Sequence, residues 1–365
     1  MKREQIKLAV LGVIGFMIKK PRIAKEQFES FLPMLPINLP TLNDTRVIKM
    51  CTTWPRHYLG LEEGLIDFMD KVEDLSSNNI IFKYYPSGTK ISTYQCFDVV
   101  KKGYIHMYHS FEYYWQEKHP GFTYFSAIPF GLSSEQFPDW LNNNGGQKLW
   151  DELSKKFGLK CLPCGTTGNN IGIWSNKELN DLDDFKGLKV HLPGLGGKIL
   201  EKLGAIHIDI PQTQILEKLK NKEIDMAAWI GPWHSCNDDF HKVAKYYYPA
   251  FHEPSTLISL GINLDYWKEL NEWEQEIITT SATWTTDEMT KKFSNENKKA
   301  IKKLNKVEIK EYPPGVYNKL KETSLKILEE YASYDLLTNR IYSSIKAYKK
   351  NNKEWAKINN NFVCN

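Results

Sequence analysis

Arginine is scarce in this sequence of 365 residues. Only five of its 48 basic side chains are arginine, at positions 3, 22, 46, 56 and 340. The 44 acidic residues leave a formal net charge of +4, which is too balanced for a protein that binds nucleic acid by neutralising phosphates. Nucleic acid is therefore excluded as a partner, and few side chains remain of the type that best grips a carboxylate.

Common catalytic and nucleotide-binding motifs are also missing. Gly197-Lys198 is followed by Ile199 instead of the Ser or Thr of a phosphate-binding loop, and Ile199 stands where a dinucleotide fingerprint needs its third glycine. Neither Gly-x-Ser-x-Gly nor His-Glu-x-x-His occurs. The sequence predicts a protein that is not an enzyme; an enzyme that uses His191 with an aspartate is the alternative.

The cysteines form no framework. Six are present, at 51, 96, 161, 164, 236 and 364. Cys161-x-x-Cys164 lies in a strand-like stretch that contains a proline, and no second pair completes a metal site. Buried free thiols are the prediction.

The N-terminus carries a signal-like segment. A basic start precedes 11 apolar residues, Leu8–Ile18, too few for a transmembrane span but typical of a signal peptide. No small-x-small cleavage site follows, so an uncleaved anchor or a misplaced start codon are alternatives. We predict export to the periplasm, with a signal-like segment at 1–20 and a linker at 21–45.

Strands and helices alternate in two stretches of the chain. "RVIKMCT", "NIIFKYY" and "YIHMYHS" are separated by helical patterns, and "LKVHLP", "AIHIDI" and "EIDMAAWI" repeat the arrangement. This order predicts an α/β fold with parallel strands in two similar lobes. A ligand is expected in the cleft between them.

Helical sequence dominates after residue 265. Asn271 and Glu274 have capping-box spacing, and an apolar stripe continues to Phe293. Residues 331–365 form a helical arm longer than a two-lobed protein needs. We expect this arm to pack on a partner subunit, which would make a homodimer.

The stretch "GLKVHLPGLGG" (187–197) is the first candidate for a binding site. His191 ends a strand and opens onto a glycine-rich turn, where free helix amides favour a small anion; a tight turn without ligand is the alternative. Aromatic residues follow two other strands, in "FEYYWQEK" (111–118) and "WIGPW" (229–233). They predict either a largely apolar pocket or packing between the lobes.

Taken together, six motifs carry a resemblance. They are "TTWP" (52–55), "YYW" (113–115), "IPFG" (128–131), "FKGLKVHLPGLGG" (185–197), "AWIGPW" (228–233) and "KYYYPAFHEP" (245–254). The chain resembles the DctP family of TRAP transporter substrate-binding proteins, in the branch similar to 2-oxo-acid (α-keto acid) and mannitol/chloroaromatic receptors.

The resemblance implies a periplasmic-binding-protein-like fold of two lobes with a hinge, a long spanning helix and a C-terminal helical arm. The implied bounds are 46–168 with about 257–296 for the first lobe, 169–256 with about 297–330 for the second, and 331–365 for the arm. Such a receptor closes on a small organic acid and delivers it to a membrane permease.

Three positions in the implied pocket depart from the family. His191 stands where the branch has an arginine that clamps the ligand carboxylate, and Asn170 stands where it has a glutamine. Ala228 replaces a glutamate that is a metal ligand in members that use a cation. Glu253 and Trp229 match the family. Because Ala228 replaces the glutamate, no cofactor is certain. If a cation is retained, the resemblance implies a sodium or calcium ion at Glu253, Trp229 and Asn170.

We predict that eight residues line the cleft. These are Trp54, Tyr113, Tyr114, Phe130, Asn170, His191, Trp229 and Trp233. His191 and Asn170 would hold the polar end of the solute, and the aromatic rings would cover its carbon skeleton. The solute is either a small carboxylate held by an imidazolium or a neutral polyol; an enzyme or a sensory module on the same scaffold is the alternative of another class.

Overall fold

The computed structural model describes residues 45–169, 172–210, 214–228, 230–304 and 307–363, with side chains as far as residue 353. The predicted signal-like segment and, apart from Thr45, the predicted linker lie outside the described residues. Within the described residues, no helix is long and apolar enough to cross a membrane.

Eleven strands are described, and they form two sheets. They are β1 (Arg46–Thr52), β2 (Ile80–Tyr85), β3 (Met107–Phe111), β4 (Leu159–Asn169), β5 (Ile173–Ser175), β6 (Lys189–His191), β7 (Ile206–His207), β8 (Met226–Ala228), β9 (Tyr246–Tyr248), β10 (Ser255–Asn263) and β11 (Glu308–Ile309). The first sheet has the order β2-β1-β3-β10-β4, and the second has the order β11-β9-β5-β8-β6-β7. Each sheet is the centre of one lobe.

Eleven α-helices are described between and after these strands. They are α1 (Leu61–Leu75), α2 (Cys96–Lys101), α3 (Gln136–Asn143), α4 (Gly146–Lys155), α5 (Gly196–Glu201), α6 (Ile215–Lys220), α7 (Pro232–Asn237), α8 (Leu264–Glu269), α9 (Glu272–Ile301), α10 (Pro314–Ala332) and α11 (Leu336–Val363).

The alternation read from the sequence is confirmed in both lobes. β1 pairs in parallel with β2 and β3, and β6 pairs in parallel with β7 and β8. Both sheets also contain antiparallel pairs, because β10 inserts between β3 and β4, and β5 inserts between β8 and β9. The two-lobed α/β fold is therefore present, with mixed sheets instead of purely parallel ones.

The long helix α9 begins with the expected capping box, in which Asn271 and Glu274 bond each other's backbone amides. It packs against β4 and α1 of the first lobe and against α7 of the second. Met289 fits where glycines leave room, since a Cβ on Gly64 or Gly165 would lie less than 3.0 Å from its sulfur. This helix spans both lobes.

The described cysteines are buried and free, as predicted, and Cys364 lies outside the described residues. Cys161 and Cys164 lie in β4, and both are buried and free, like Cys51, Cys96 and Cys236. Burial raises the pKa of the Cys161 and Cys164 thiols well above the ordinary value, so neither is a reactive thiolate at neutral pH.

The C-terminal arm packs on its own chain in the described part. The indole of Trp140 donates to Ser344 at 3.0 Å, and Tyr348 donates to Asp139 at 2.7 Å. Lys349 donates to the carbonyl of Phe130. These contacts attach α11 to the first lobe, and the proposed role of the arm in a homodimer stays a prediction.

Candidate functional site

Three aromatic side chains form a wall at one end of the first sheet. β1 and β3 are parallel neighbours, so the residues that follow them meet at the same edge. Trp54 follows β1, and Tyr113 and Tyr114 lie in the 3₁₀ turn after β3. The ring centroids of Trp54 and Tyr114 are 6.4 Å apart, and those of Tyr113 and Tyr114 are 5.0 Å apart. Phe111, which the sequence did not single out, packs 4.6 Å from Trp54.

The orientation of Trp54 is fixed by a buried histidine. The indole Nε1–H of Trp54 donates to Nδ1 of His109 at 3.0 Å, and Nε2 of His109 bonds the carbonyl oxygen of Cys164 at 2.8 Å. Because a carbonyl only accepts, the imidazole is neutral with its proton on Nε2. Burial lowers the pKa of His109 to about 4, so this tautomer persists at neutral pH. The side chain of His109 is predictable only as a residue of a buried strand.

Trp233 approaches this wall from the second lobe. It lies in α7 and packs edge-on against Phe293 with centroids 5.1 Å apart. It belongs to the same apolar cluster as Trp54, Tyr113 and Tyr114. The structure therefore brings four predicted cleft residues together. Two others, Trp229 and Asn170, lie outside the described residues.

Glu253 is a buried carboxyl group with an unused oxygen. It is only 6% exposed, and its Oε2 accepts from Thr256 at 3.3 Å. No described residue hydrogen-bonds Oε1. This oxygen lies against the glycine-rich turn, because a Cβ added to Gly194 would be 3.0 Å from it. Burial raises the pKa of Glu253 to about 7. Burial and the charge of Glu253 also raise the pKa of Tyr113, which links this carboxyl group to the aromatic wall.

His191 ends β6, and one of its nitrogens is already used. Its Nδ1 lies 3.0 Å from the carbonyl oxygen of Ile208, so Nδ1 carries the proton of the neutral ring. No described residue hydrogen-bonds Nε2. The ring of His207 stacks at 6.2 Å. The pKa of His191 is lowered, chiefly by burial and also by His207, while Ile208 and Asp209 act in the opposite direction.

Phe130 does not belong to the apolar cluster that contains Trp54, Tyr113, Tyr114 and Trp233. Its backbone is left-handed, with φ of 50°, and its N–H donates to the carbonyl of Phe251 at 2.8 Å. Its ring packs against Tyr317 and Phe251, at 5.6 and 6.3 Å. The structure places Phe130 between the start of α10 and the segment before Glu253. Its contact with a solute stays a prediction.

His252 is a residue that sequence reasoning missed. It is 3% exposed, no described residue bonds its Nδ1, and burial lowers its pKa to about 3. A Cβ on Gly196 would lie 2.9 Å from its ring, so His252 packs on the glycine-rich turn. The sequence feature that could have pointed to His252 is its position next to Glu253 in "FHEP".

The described residues give a cation few ligands. Ala228 ends β8 with no side-chain oxygen, and no group of three or more His, Cys, Asp or Glu in the described part of the chain could hold a metal ion. The unused Oε1 of Glu253 does fit a cation, because hard cations prefer oxygen ligands.

These observations describe a two-lobed α/β protein with an aromatic cluster to which both lobes contribute. The model of the family described as DctP, bacterial extracellular solute-binding protein, family 7, matches residues 53–359, and the chain belongs to this family. Its members are solute receptors and not enzymes.

Similar proteins support the same class. A monocarboxylate 2-oxoacid-binding periplasmic protein of Nostoc sp. is 29% identical over 314 residues, which cover 85% of this chain and 86% of the relative. A TRAP periplasmic solute binding protein of Colwellia psychrerythraea, solved with calcium and pyruvate, is 28% identical, with a TM-score of 0.83 over 88% of this chain and 99% of the other. One from Pseudoalteromonas atlantica, solved with sodium and pyruvate, is 29% identical, with a TM-score of 0.82 and the same coverage.

Proposed function

We propose that this chain is a periplasmic receptor for a small monocarboxylate of the 2-oxoacid class, such as pyruvate, which it delivers to a TRAP membrane permease. The names of the Nostoc relative and of the two pyruvate-bound structures support this ligand class. Export by the signal-like segment and dimerisation through the arm belong to the same proposal.

The observation that carries the proposal is the pairing of an aromatic wall with a buried carboxyl group that has an unused oxygen. Trp54, Tyr113 and Tyr114 offer flat apolar faces to a short carbon skeleton. Glu253 lies beside the glycine-rich turn, with its Oε1 available. A small polar molecule would fit between apolar and polar groups arranged in this way.

His191 binds a carboxylate only in its protonated form. In the neutral ring Nδ1–H donates to Ile208, so Nε2 is an acceptor and would face the carboxylate oxygens lone pair to lone pair. Protonation turns Nε2 into a charge-assisted donor. Because the pKa of His191 is lowered in the empty protein, capture of a carboxylate would take up a proton.

A cation would reduce the repulsion between the solute carboxylate and Glu253. We propose that a sodium or calcium ion binds Oε1 of Glu253 together with Asn170 and Trp229. Ala228 contributes no oxygen, so this ion would have fewer charged ligands than a site that keeps a glutamate there. Weaker retention of the cation is the consequence.

A neutral polyol is the second candidate, and the neutral tautomer of His191, with its proton on Nδ1, favours it. Nε2 of neutral His191 and Oε1 of ionised Glu253 are both acceptors, and hydroxyl groups donate to such atoms. A polyol would need neither a cation nor a proton. The two candidates therefore differ in what must bind with the solute.

A thermal-shift screen tests the proposal. Pyruvate and mannitol are each titrated at pH 6 and pH 8, with calcium, with sodium and with a chelator. A ligand at 100 times its Kd stabilises by about 2.7 kcal/mol. Stabilisation by pyruvate, greater at pH 6, supports the acid; stabilisation by mannitol alone, equal at both pH values, overturns it.

A further inference from the structure

The two lobes touch directly at a place beside the predicted cleft residues Trp54 and Trp233. The segment Tyr58–Gly60, just before α1 in the first lobe, meets α7 of the second lobe. Nε2 of His234 lies 2.6 Å from the carbonyl oxygen of Leu59. Because that carbonyl only accepts, the neutral imidazole of His234 donates from Nε2 across the gap between the lobes.

Close packing surrounds this hydrogen bond. Gly60 has a left-handed backbone, with φ of 71°, and a Cβ on it would lie 2.7 Å from the ring of Trp233. His234 is 3% exposed and stacks on Phe293 of α9, with centroids 5.4 Å apart and planes 18° apart. Only a glycine at position 60 allows the lobes to approach this closely.

We infer that His234 is a positioning residue that holds the lobes closed through Leu59, and that it thereby sets how tightly a solute is retained without touching it. This inference rests on the two-lobed receptor fold and not on the identity of the solute. The apparent Kd of a receptor equals the Kd of its closed form divided by the closed fraction of the empty protein. A contact between the lobes that is lost when they separate raises that fraction.

The contact is insensitive to pH in the physiological range. Burial lowers the pKa of His234 to about 4, and no described residue bonds its Nδ1, so a second proton would enter a buried site without an acceptor. The charged neighbours are Glu63, which raises this pKa, and Lys292, which pairs with Glu63. Tyr58 also faces the ring, at 6.3 Å. The effect of His234 should therefore be the same at pH 6 and pH 8, unlike that of His191.

Two substitutions separate the hydrogen bond from the packing. His234→Phe keeps a flat ring against Phe293 and removes the donor, whereas His234→Gln keeps a donor. His241→Phe is the matched control, because the same chemical change then falls on a second-lobe histidine away from Leu59. Each full-length variant is measured by small-angle X-ray scattering without ligand and by calorimetric titration with pyruvate.

We expect His234→Phe to increase the radius of gyration of the unliganded protein and to weaken pyruvate binding about five- to tenfold, the effect of losing one net hydrogen bond. His234→Gln should restore most of both values, and His241→Phe should match the wild type. Wild-type scattering and affinity for His234→Phe would overturn the inference. If wild-type protein fails to bind pyruvate, the proposed ligand class fails, and the scattering of the unliganded variants still decides the role of His234.

Discussion

The two lobes use their histidines differently. In the first lobe both ring nitrogens of His109 are bonded, and those of His119 bond the N–H of Gly121 and the carboxylate of Asp335. In the second lobe and the segment that leaves it, one buried nitrogen lacks a described hydrogen-bond partner in His207, His234 and His252. Nε2 of His191 is also unbonded among the described residues.

The fully bonded histidines of the first lobe serve as framework, whereas those of the second lobe keep one nitrogen without a described hydrogen-bond partner. A ring with both nitrogens bonded has a fixed tautomer and cannot take a proton without losing a bond, so His109 fixes Trp54 as part of a rigid wall. Where an unused nitrogen can be reached by a ligand, as we propose for Nε2 of His191, it can accept a proton or a hydrogen bond from that ligand. We therefore expect discrimination between solutes to depend on the second lobe and the shape of the site to depend on the first.

The largest effect is expected from removing a fully bonded histidine. His109→Leu leaves the indole N–H of Trp54 and the carbonyl of Cys164 buried without partners, which should cost roughly 2–5 kcal/mol of unfolding free energy. His252→Leu, the matched change in the other region, should cost clearly less. Urea denaturation measures both, and equal losses would contradict the contrast.

Buried carboxyl groups give the next largest effect. Burial raises the pKa of Glu253 from 4.5 to about 7, so its proton is held more tightly in the folded state. Its stabilising contribution is complete below pH 4.5 and is lost as the pH rises through 7, by roughly 3 kcal/mol. Glu253→Gln should flatten this dependence in urea denaturation at pH 5 and pH 8 with chelator present.

Glu112 of the first lobe provides the control for that experiment. Its pKa is likewise raised to about 7 by burial, its Oε1 accepts from Tyr108 and Ser259, and no described residue hydrogen-bonds its Oε2. Glu112→Gln should change the stability profile in the same direction and leave pyruvate and calcium titrations unchanged. Glu253→Gln should weaken both titrations. Unchanged titrations for Glu253→Gln would remove it from the site.

A smaller effect concerns the pH dependence of affinity. If His191 must be protonated in the complex, pyruvate affinity falls about tenfold for each pH unit above the pKa of His191 in the empty protein. His191→Arg should remove this slope and bind tightly at pH 8, and His191→Ala should bind weakly at every pH. Calorimetric titration between pH 5.5 and 8.5 measures pyruvate affinity for each protein. A wild-type affinity that does not change with pH would favour the polyol.

The smallest effect is expected where the arm meets the first lobe. Arg340 pairs with Glu152 at 2.8 Å, and both side chains are about half exposed. Solvent screens such pairs, so Arg340→Met should change the free energy of unfolding by less than about 1 kcal/mol in urea denaturation. A larger loss would show that the arm depends on this pair more than on its apolar face.

Local patterns predicted the elements but not all of their partners. The alternation in "RVIKMCT" and "LKVHLP" located strands in each lobe, and the spacing of Asn271 and Glu274 located the start of α9. The insertion of β10 between β3 and β4 was not predictable, because Leu260 pairs with residues about 100 and 150 positions earlier. No short window of sequence carries such a pairing.

Only part of the candidate site was predicted, because contacts between distant parts of the chain are not visible in a short window of sequence. Trp54, Tyr113, Tyr114 and Trp233 follow strands or begin a helix, where side chains point into clefts, and they meet. Phe130 was expected with them; its ring packs against Tyr317, and its contact with a solute stays a prediction. His109 and His234 escaped notice because their bonding partners lie 55 and 175 positions away.

Glycines that pack against α9 fix the position of this helix along the first lobe. Met289 is held between Gly64 and Gly165, and Phe293 lies between Gly60 and Gly168. Sliding α9 by one turn, about 5.4 Å, would drive these side chains into backbone that has no space for them. The long helix is therefore fixed lengthwise on the first lobe, and only its far side is left for the second lobe.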